Sequence, residues 1–191
     1  MLSVTSPRTD TTARILDATY EELLHFGVKG VSVEDIAKRV GVARITIYRR
    51  WKTKDDLLGA VALREGQRLF AQVDDAIEQF DDIEDQLVEG FTVAFLTIRD
   101  HPLVQRVLST EPELVASFVN TQAARMVAMG REYLAGRIRM HLPDVDAQSI
   151  AELIVRTAAT FILMPDSVIP MRTANEVRHF ARTHLIPMVP R

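Results

Sequence analysis

Apolar residues recur along this chain at three- and four-residue intervals, and nowhere do they alternate strictly between turn signals. That spacing lines one side of a helix and gives no support to a sheet, so the expected fold is all-α. Residues 12–26 put Ile15, Leu16, Thr19, Leu23 and Phe26 on one helical stripe, with Gly27 as a natural stop. Ser32 then caps a short helix, with Asp35 three residues on in a capping-box arrangement, and Ile36, Ala37 and Val40 form its apolar face. Gly41 follows where a tight turn needs a residue tolerant of positive φ. A second short helix is expected over residues 43–51. Thr53, with Asp56 three residues later, caps a long third helix reaching about residue 80.

The charge is unevenly spread. Residues 1–54 hold ten Lys/Arg against six Asp/Glu, and residues 55–191 hold thirteen against twenty, so a net charge of −3 divides into +4 and −7. All four lysines, Lys29, Lys38, Lys52 and Lys54, lie in the first part. A basic head on an acidic body points the head toward a polyanion. The second short helix, Ala43-Arg44-Ile45-Thr46-Ile47-Tyr48-Arg49-Arg50-Trp51, is basic and holds no acid. A helix entering a major groove needs small or apolar residues near bases, Arg for guanine edges, and hydroxyls and cations for phosphates.

Helix, glycine turn and basic helix together bring in a resemblance. The stretch RILDATYEELLHFGVKGVSVEDIAKRVGVARITIYRRWKTKDDLL resembles the DNA-binding domain of TetR-type bacterial regulators. The match runs through Ile15, Ala18, Phe26, Gly27, Val33, Ile36, Ala37, Gly41, Val42, Tyr48, Lys54 and the Leu57–Leu58 pair. The chain departs from the family pattern at Ala43, where a small polar residue is usual, at Ile45, often glycine, and at Trp51, usually phenylalanine. These departures bear on which operator is read.

The resemblance implies that Tyr48 and Thr46 hold phosphates. Ser32 both caps its helix and offers a donor to phosphate. Arg44 and Arg49 are the candidates for base or phosphate contact, and Ile45 either touches a thymine methyl or packs internally. Ile47 and Trp51 read as core. Lys54 has a physical argument of its own. It falls in a first helical turn, where the macrodipole disfavours a cation unless a phosphate docks beside it. Arg8, in a leader expected to be flexible over residues 1–9, could reach a groove. The expected organisation is thus a leader, a three-helix helix-turn-helix DNA-binding domain over 10–58, and a larger helical ligand-binding and dimerisation domain over 59–191.

Within that second region, helices are expected over residues 82–99, 103–108, from Pro112, and over 122–142, 146–164 and 173–186. The first should face inward with Ile83, Leu87, Phe91, Ala94, Phe95 and Ile98. The helix 146–164 is apolar or small on every side after Arg156, and a helix apolar all round must be covered all round. A second subunit is the natural cover. The resemblance implies the same, a four-helix interface from the last two helices of each subunit. Ala151, Ile154, Ala158, Phe161, Ile162, Val177, Phe180 and His184 are the candidate contacts.

Catalytic patterns are absent from the sequence: no HExxH, G-x-S-x-G, P-loop or GxGxxG occurs. With no cysteine there are no disulfides or thiolate ligands, a composition that fits a reducing cytoplasm, and no signal peptide or bilayer-length apolar run is expected. The five histidines show no ligand spacing; His179 and His184 are five apart, off the i, i+4 face. Neither metal nor cofactor is expected. A binding cavity fits better. Six of seven methionines (Met126, Met129, Met140, Met164, Met171, Met188) lie beyond residue 125, and thioethers fill adaptable apolar space. Candidate pocket residues are Phe91, Phe95, Arg99, Phe118, Arg125, Met129, Tyr133 and Arg156, although Arg156 can equally pair with Glu152 one turn earlier. The resulting expectation is a dimeric repressor of a palindromic operator, released by a small apolar molecule. A ligand-independent DNA binder and a helical enzyme are the alternatives.

Overall fold

The computed structural model describes residues 7–110 and 122–189, and among these every regular element is helical. Among the described residues nine α-helices succeed one another: α1 (Pro7–Gly30), α2 (Val33–Val40), α3 (Arg44–Tyr48), α4 (Lys54–Ile77), α5 (Ile83–Arg99), α6 (Pro102–Thr110), α7 (Gln122–His141), α8 (Ala147–Leu163) and α9 (Ala174–Phe180). A π-helical turn (Ala181–Leu185) and a 3₁₀ turn (Ile186–Met188) follow α9. α1 begins at Pro7, so the last residues of the expected flexible leader are helical. α3 stops at Tyr48, shorter than the expected 43–51. The last helix gives way to the π turn at Ala181, where 173–186 reads as one helix from sequence. The short helix expected from Pro112 lies outside the described residues.

Buried side chains form two clusters. The head cluster joins Ile15 and Leu23 of α1, Ile36 and Val40 of α2, Ile47 of α3, and Leu57 and Val61 of α4. α1 is interrupted at Gly27, whose φ of 69° suits glycine and would strain any side chain-bearing residue. That break turns Phe26 outward, 57% exposed, instead of onto the expected inner stripe. Glu22 of α1 is buried, and Arg39 of α2 donates to it at 2.8 Å; Arg14 donates to the Val40 carbonyl at 2.6 Å. A buried carboxylate is tolerable only with such a partner.

The body cluster gathers Val88, Phe91 and Phe95 of α5, Ala135 and Ile138 of α7, Ala151 and Ile154 of α8, and Val177 and Phe180 of α9. Asp82 caps α5 by accepting from the Glu84 and Asp85 amides. Asp85 in turn accepts from Arg182 at 2.7 Å and Glu89 from Arg178 at 2.7 Å, so the acidic start of α5 is tied to the C-terminal segment. α4 belongs to both regions: its first turns are in the head core, while Val73 and Ile77 are buried further along. At about 1.5 Å per residue, its 24 residues span about 36 Å. The head also rests on α6, where Leu103 packs against the head cluster and Arg106 donates to the His25 carbonyl at 2.9 Å.

Candidate nucleic-acid interface and internal cavity

α2 and α3 are joined by a turn centred on Gly41, at φ 75° and ψ 38°. The Gly41 and Val42 amides both donate to the Ala37 carbonyl at 3.0 Å, which closes the end of α2 and redirects the chain into α3. Ser32 caps α2 by accepting from the Asp35 amide at 3.3 Å. Ile47 is the anchor of α3, 1% exposed, and Trp51 packs against the same core. With that face buried, Arg44, Ile45 and Arg49 face solvent. Ile45 is 65% exposed, so packing is excluded as its role within this chain. Arg44 lies over the Tyr48 ring, 5.5 Å from its centroid, and is within 3.5 Å of the Tyr48 hydroxyl. Tyr48 itself is half-buried against the head core, which leaves its phenol end at the rim.

Lys54 opens α4 inside a complete capping box, in which Thr53 accepts from the Asp56 amide and Asp56 from the Thr53 amide. Its ammonium reaches the Lys29 carbonyl at 3.4 Å, close to the C-terminal end of α1. Ser32, Arg44, Ile45, Thr46, Tyr48, Arg49 and Lys54 therefore all belong to the head, and none is fully buried.

The body holds a partly open cavity of about 550 Å³ between α4, α5, α7 and α8. Phe70 and Val73 of α4, Phe91 and Phe95 of α5, Met129 of α7 and Ile162 of α8 line it. Gly66 matters to its shape: a Cβ there would stand 2.2 Å from the Met129 Cε, so the absence of a side chain at position 66 leaves room for the Met129 thioether tip between α4 and α7. Tyr133 stacks flat on Phe70, centroids 4.2 Å apart, and donates to Asp74, which also accepts from Arg137. Burial, then the Asp74 bond, pushes the Tyr133 hydroxyl well above its usual pKa. Burial raises the Asp74 carboxyl, but the bonds from Tyr133 and Arg137 more than offset it and leave it below the usual range. Burial likewise holds His101 below the usual histidine value, against the pull of Glu65.

Of the expected pocket residues, Phe91, Phe95, Met129 and Tyr133 line this cavity. Arg99 does not: it pairs with Asp100 and donates to the Met171 and Arg172 carbonyls at 2.9 Å, beneath the loop after α8. Arg125 is exposed outside the lining, and Arg156 points to solvent and pairs with Glu152, the alternative its spacing left open. Phe118 lies outside the described residues. Glu65, His101 and the Asp74–Arg137 pair were not anticipated. Asp74 and Arg137 stand 63 residues apart, beyond any local sequence pattern.

The expected interface residues also need correction. Ala151, Ile154, Ile162, Val177 and Phe180 are buried in this chain's own core, because the apolar sides of α8 and α9 close over α5 and α7. Ala158 and Phe161 pack partly against that core, and Ala158 also lines the cavity. Of the expected set, His184 is exposed. Outward on α8 stand Leu153, 53% exposed, and Leu163, with Met164, 63% exposed, just beyond. The methionines likewise scatter: Met126 and Met129 line the cavity, Met171 is in the core, and Met140 and Met164 are exposed. Among the described residues, no group of acidic or histidine side chains could hold a metal ion, and no helix is long and apolar enough to cross a membrane.

Comparison with known proteins accounts for both regions. Residues 15–61 match the family described as bacterial regulatory proteins, tetR family, and residues 82–182 match the bacterial tetracyclin repressor C-terminal domain. The transcriptional regulator AlkX of Mycobacterium tuberculosis is 25% identical over 185 residues, covering 92% of this chain and 87% of that protein. The regulator AqdR of Rhodococcus erythropolis is 44% identical over 45 residues, 24% of this chain and 22% of its own. Among solved structures, the TetR-family repressor AlkX of a Dietzia strain, implicated in n-alkane biodegradation, superposes with a TM-score of 0.69 at 21% identity, covering 93% of this chain and 94% of that one. FadR of Bacillus subtilis, solved with stearoyl-CoA, gives 0.55 at 20% identity, covering 93% and 97%. These relatives are regulators, not enzymes, and the two family models together match most of this chain; the chain belongs to the TetR family of bacterial transcriptional regulators.

Proposed function

We propose that this chain is a ligand-responsive repressor, acting in the cytoplasm as a homodimer on a palindromic operator. The observation that carries the reading is the path of α4, which begins at Lys54 in the head and walls the apolar cavity in the body. In this reading α3 enters the major groove. Arg44 and Ile45 face base edges, while Ser32, Thr46, Tyr48, Arg49 and Lys54 hold the backbone. The DNA-binding domain then comprises α1 to α3 with the start of α4, and the remainder binds ligand and partner. The outward stripe of Leu153, Thr160 and Leu163 on α8, with His184 after α9, is the face offered to the second subunit. Two heads so joined dock on half-sites about 34–36 Å apart or a multiple of that. A ligand preferring another head spacing weakens DNA binding, and DNA weakens ligand binding by the same factor.

The ligand is an aliphatic molecule. The apolar lining supports this, as do the n-alkane context of the Dietzia relative and the stearoyl-CoA of the Bacillus one. The test is operator selection from random DNA, followed by fluorescence anisotropy with and without long-chain compounds. Selected sites should be palindromic, and an aliphatic compound should lower affinity about 5–150-fold. Lys54→Ala should weaken specific and random DNA alike and reduce the salt slope by about one per head. Tight binding that no compound shifts would instead support a ligand-independent DNA binder.

A further inference from the structure

The cavity lining holds five ionisable residues: Glu65, Arg68, His101, Tyr133 and Arg137. Their partners decide what the cavity can receive. Arg137 donates to Asp74, which also takes the Tyr133 hydroxyl proton as a hydrogen bond. Arg68 donates to both oxygens of Glu65, at 3.0 and 3.3 Å, and Arg64 donates to the same carboxylate at 3.0 Å. The Leu103 amide donates to His101 Nδ1 at 3.3 Å, and that nitrogen therefore carries no proton; burial favours the neutral ring. Each lining cation thus already faces a carboxylate. The stretch 111–121, outside the described residues, contains no lysine or arginine that could add another.

We infer that the cavity is built for an uncharged aliphatic ligand, such as an alkane, alcohol or ester, and selects against the matching carboxylate or acyl-CoA. This rests on the reading of the cavity as an aliphatic ligand site. A carboxylate entering would lose its hydration and find no uncompensated cation. Taking Arg137 for itself would leave Asp74 without its cation and held by the Tyr133 hydroxyl alone, and taking Arg68 would leave Glu65 to Arg64. An alcohol or ester carries no such penalty, and its oxygen can accept a single bond from a side chain already in place.

The test uses full-length protein and a matched twelve-carbon series: dodecanol, methyl laurate, laurate and lauroyl-CoA, titrated calorimetrically at pH 8, where laurate is ionised. Dodecanol and methyl laurate should bind roughly tenfold or more tighter than laurate and lauroyl-CoA. Asp74→Asn removes the carboxylate that occupies Arg137, and should close most of that gap by strengthening laurate. Glu65→Gln does the same for Arg68 and serves if Asp74→Asn does not fold, as judged by circular dichroism. Laurate binding as tightly as dodecanol in the unaltered protein overturns the inference. So does a laurate affinity that a folded charge-removing variant leaves unmoved. Failure of all four compounds to bind would remove the aliphatic-site reading itself, and the inference with it.

Discussion

The head and the body of this molecule are both helical, yet they use burial in opposite ways. The head closes a small core completely, with Ile15, Ile36 and Leu57 at 0% exposure, and buries one charge, Glu22, against Arg39. The body buries a larger apolar cluster but leaves about 550 Å³ unfilled and brings charged pairs to the wall of that space. Protein interiors normally pack to crystal-like density, so a void of this size is a feature that the surrounding helices must hold open. A reading surface requires rigidity, whereas a receiving surface requires room.

The difference can be broken most severely from the head side. Ile36→Ala, in a core with no slack, should cost about 2–5 kcal/mol, measured by urea denaturation. A cost under about 1 kcal/mol would mean that the head is as loosely packed as the body. Next in size is Arg39→Met, which leaves the buried Glu22 without its cation; a loss of about 1.5–3 kcal/mol is expected at neutral pH. Gly41→Ala is smaller, about 1 kcal/mol, since nothing lies within 4 Å of the added methyl group and only the positive φ opposes it. Gly66→Ala should have the smallest effect on stability, under about 1 kcal/mol, although its new Cβ would collide with Met129. The thioether tip is flexible and has the cavity to move into. That variant should keep operator binding and lose aliphatic ligand affinity, as calorimetry would show. A large destabilisation there would indicate that α4 and α7 are packed as tightly as α1 and α2.

The same contrast explains what could be read from the chain before its structure. The head was legible nearly residue by residue because its determinants are local. Ser32 and Asp35, Gly41, and Thr53 with Asp56 each act within four residues of one another. Phe26 was misplaced because a helical stripe assumes that the helix continues, and Gly27 ends it. In the body, the positions of α4, α5, α7 and α8 followed from periodicity, but the facing of their apolar sides did not. Ile154 and Val177 read as interface because an apolar helix says only that it must be covered, and here α5 and α7 cover much of it. Arg99 and Arg137 look alike in sequence. One is held by the carbonyls of residues 171 and 172 and the other by Asp74, and those partners lie 63 to 73 positions away.

α4 carries one further consequence. Because a single uninterrupted helix runs from the head core to the wall of the body cavity, the angle at which the head is presented is written in the helix's phase. Each residue of an α-helix turns by about 100° and advances about 1.5 Å. One residue inserted between Val61 and Gly66 would swing the reading helix about a quarter-turn around the axis of α4 and pull the head off its seat on α6, where Leu103 and Arg106 now hold it. The residue count between those two positions is therefore itself a structural parameter, fixed as firmly as a gear tooth, and exchanging heads between such bodies requires cutting and rejoining α4 in step.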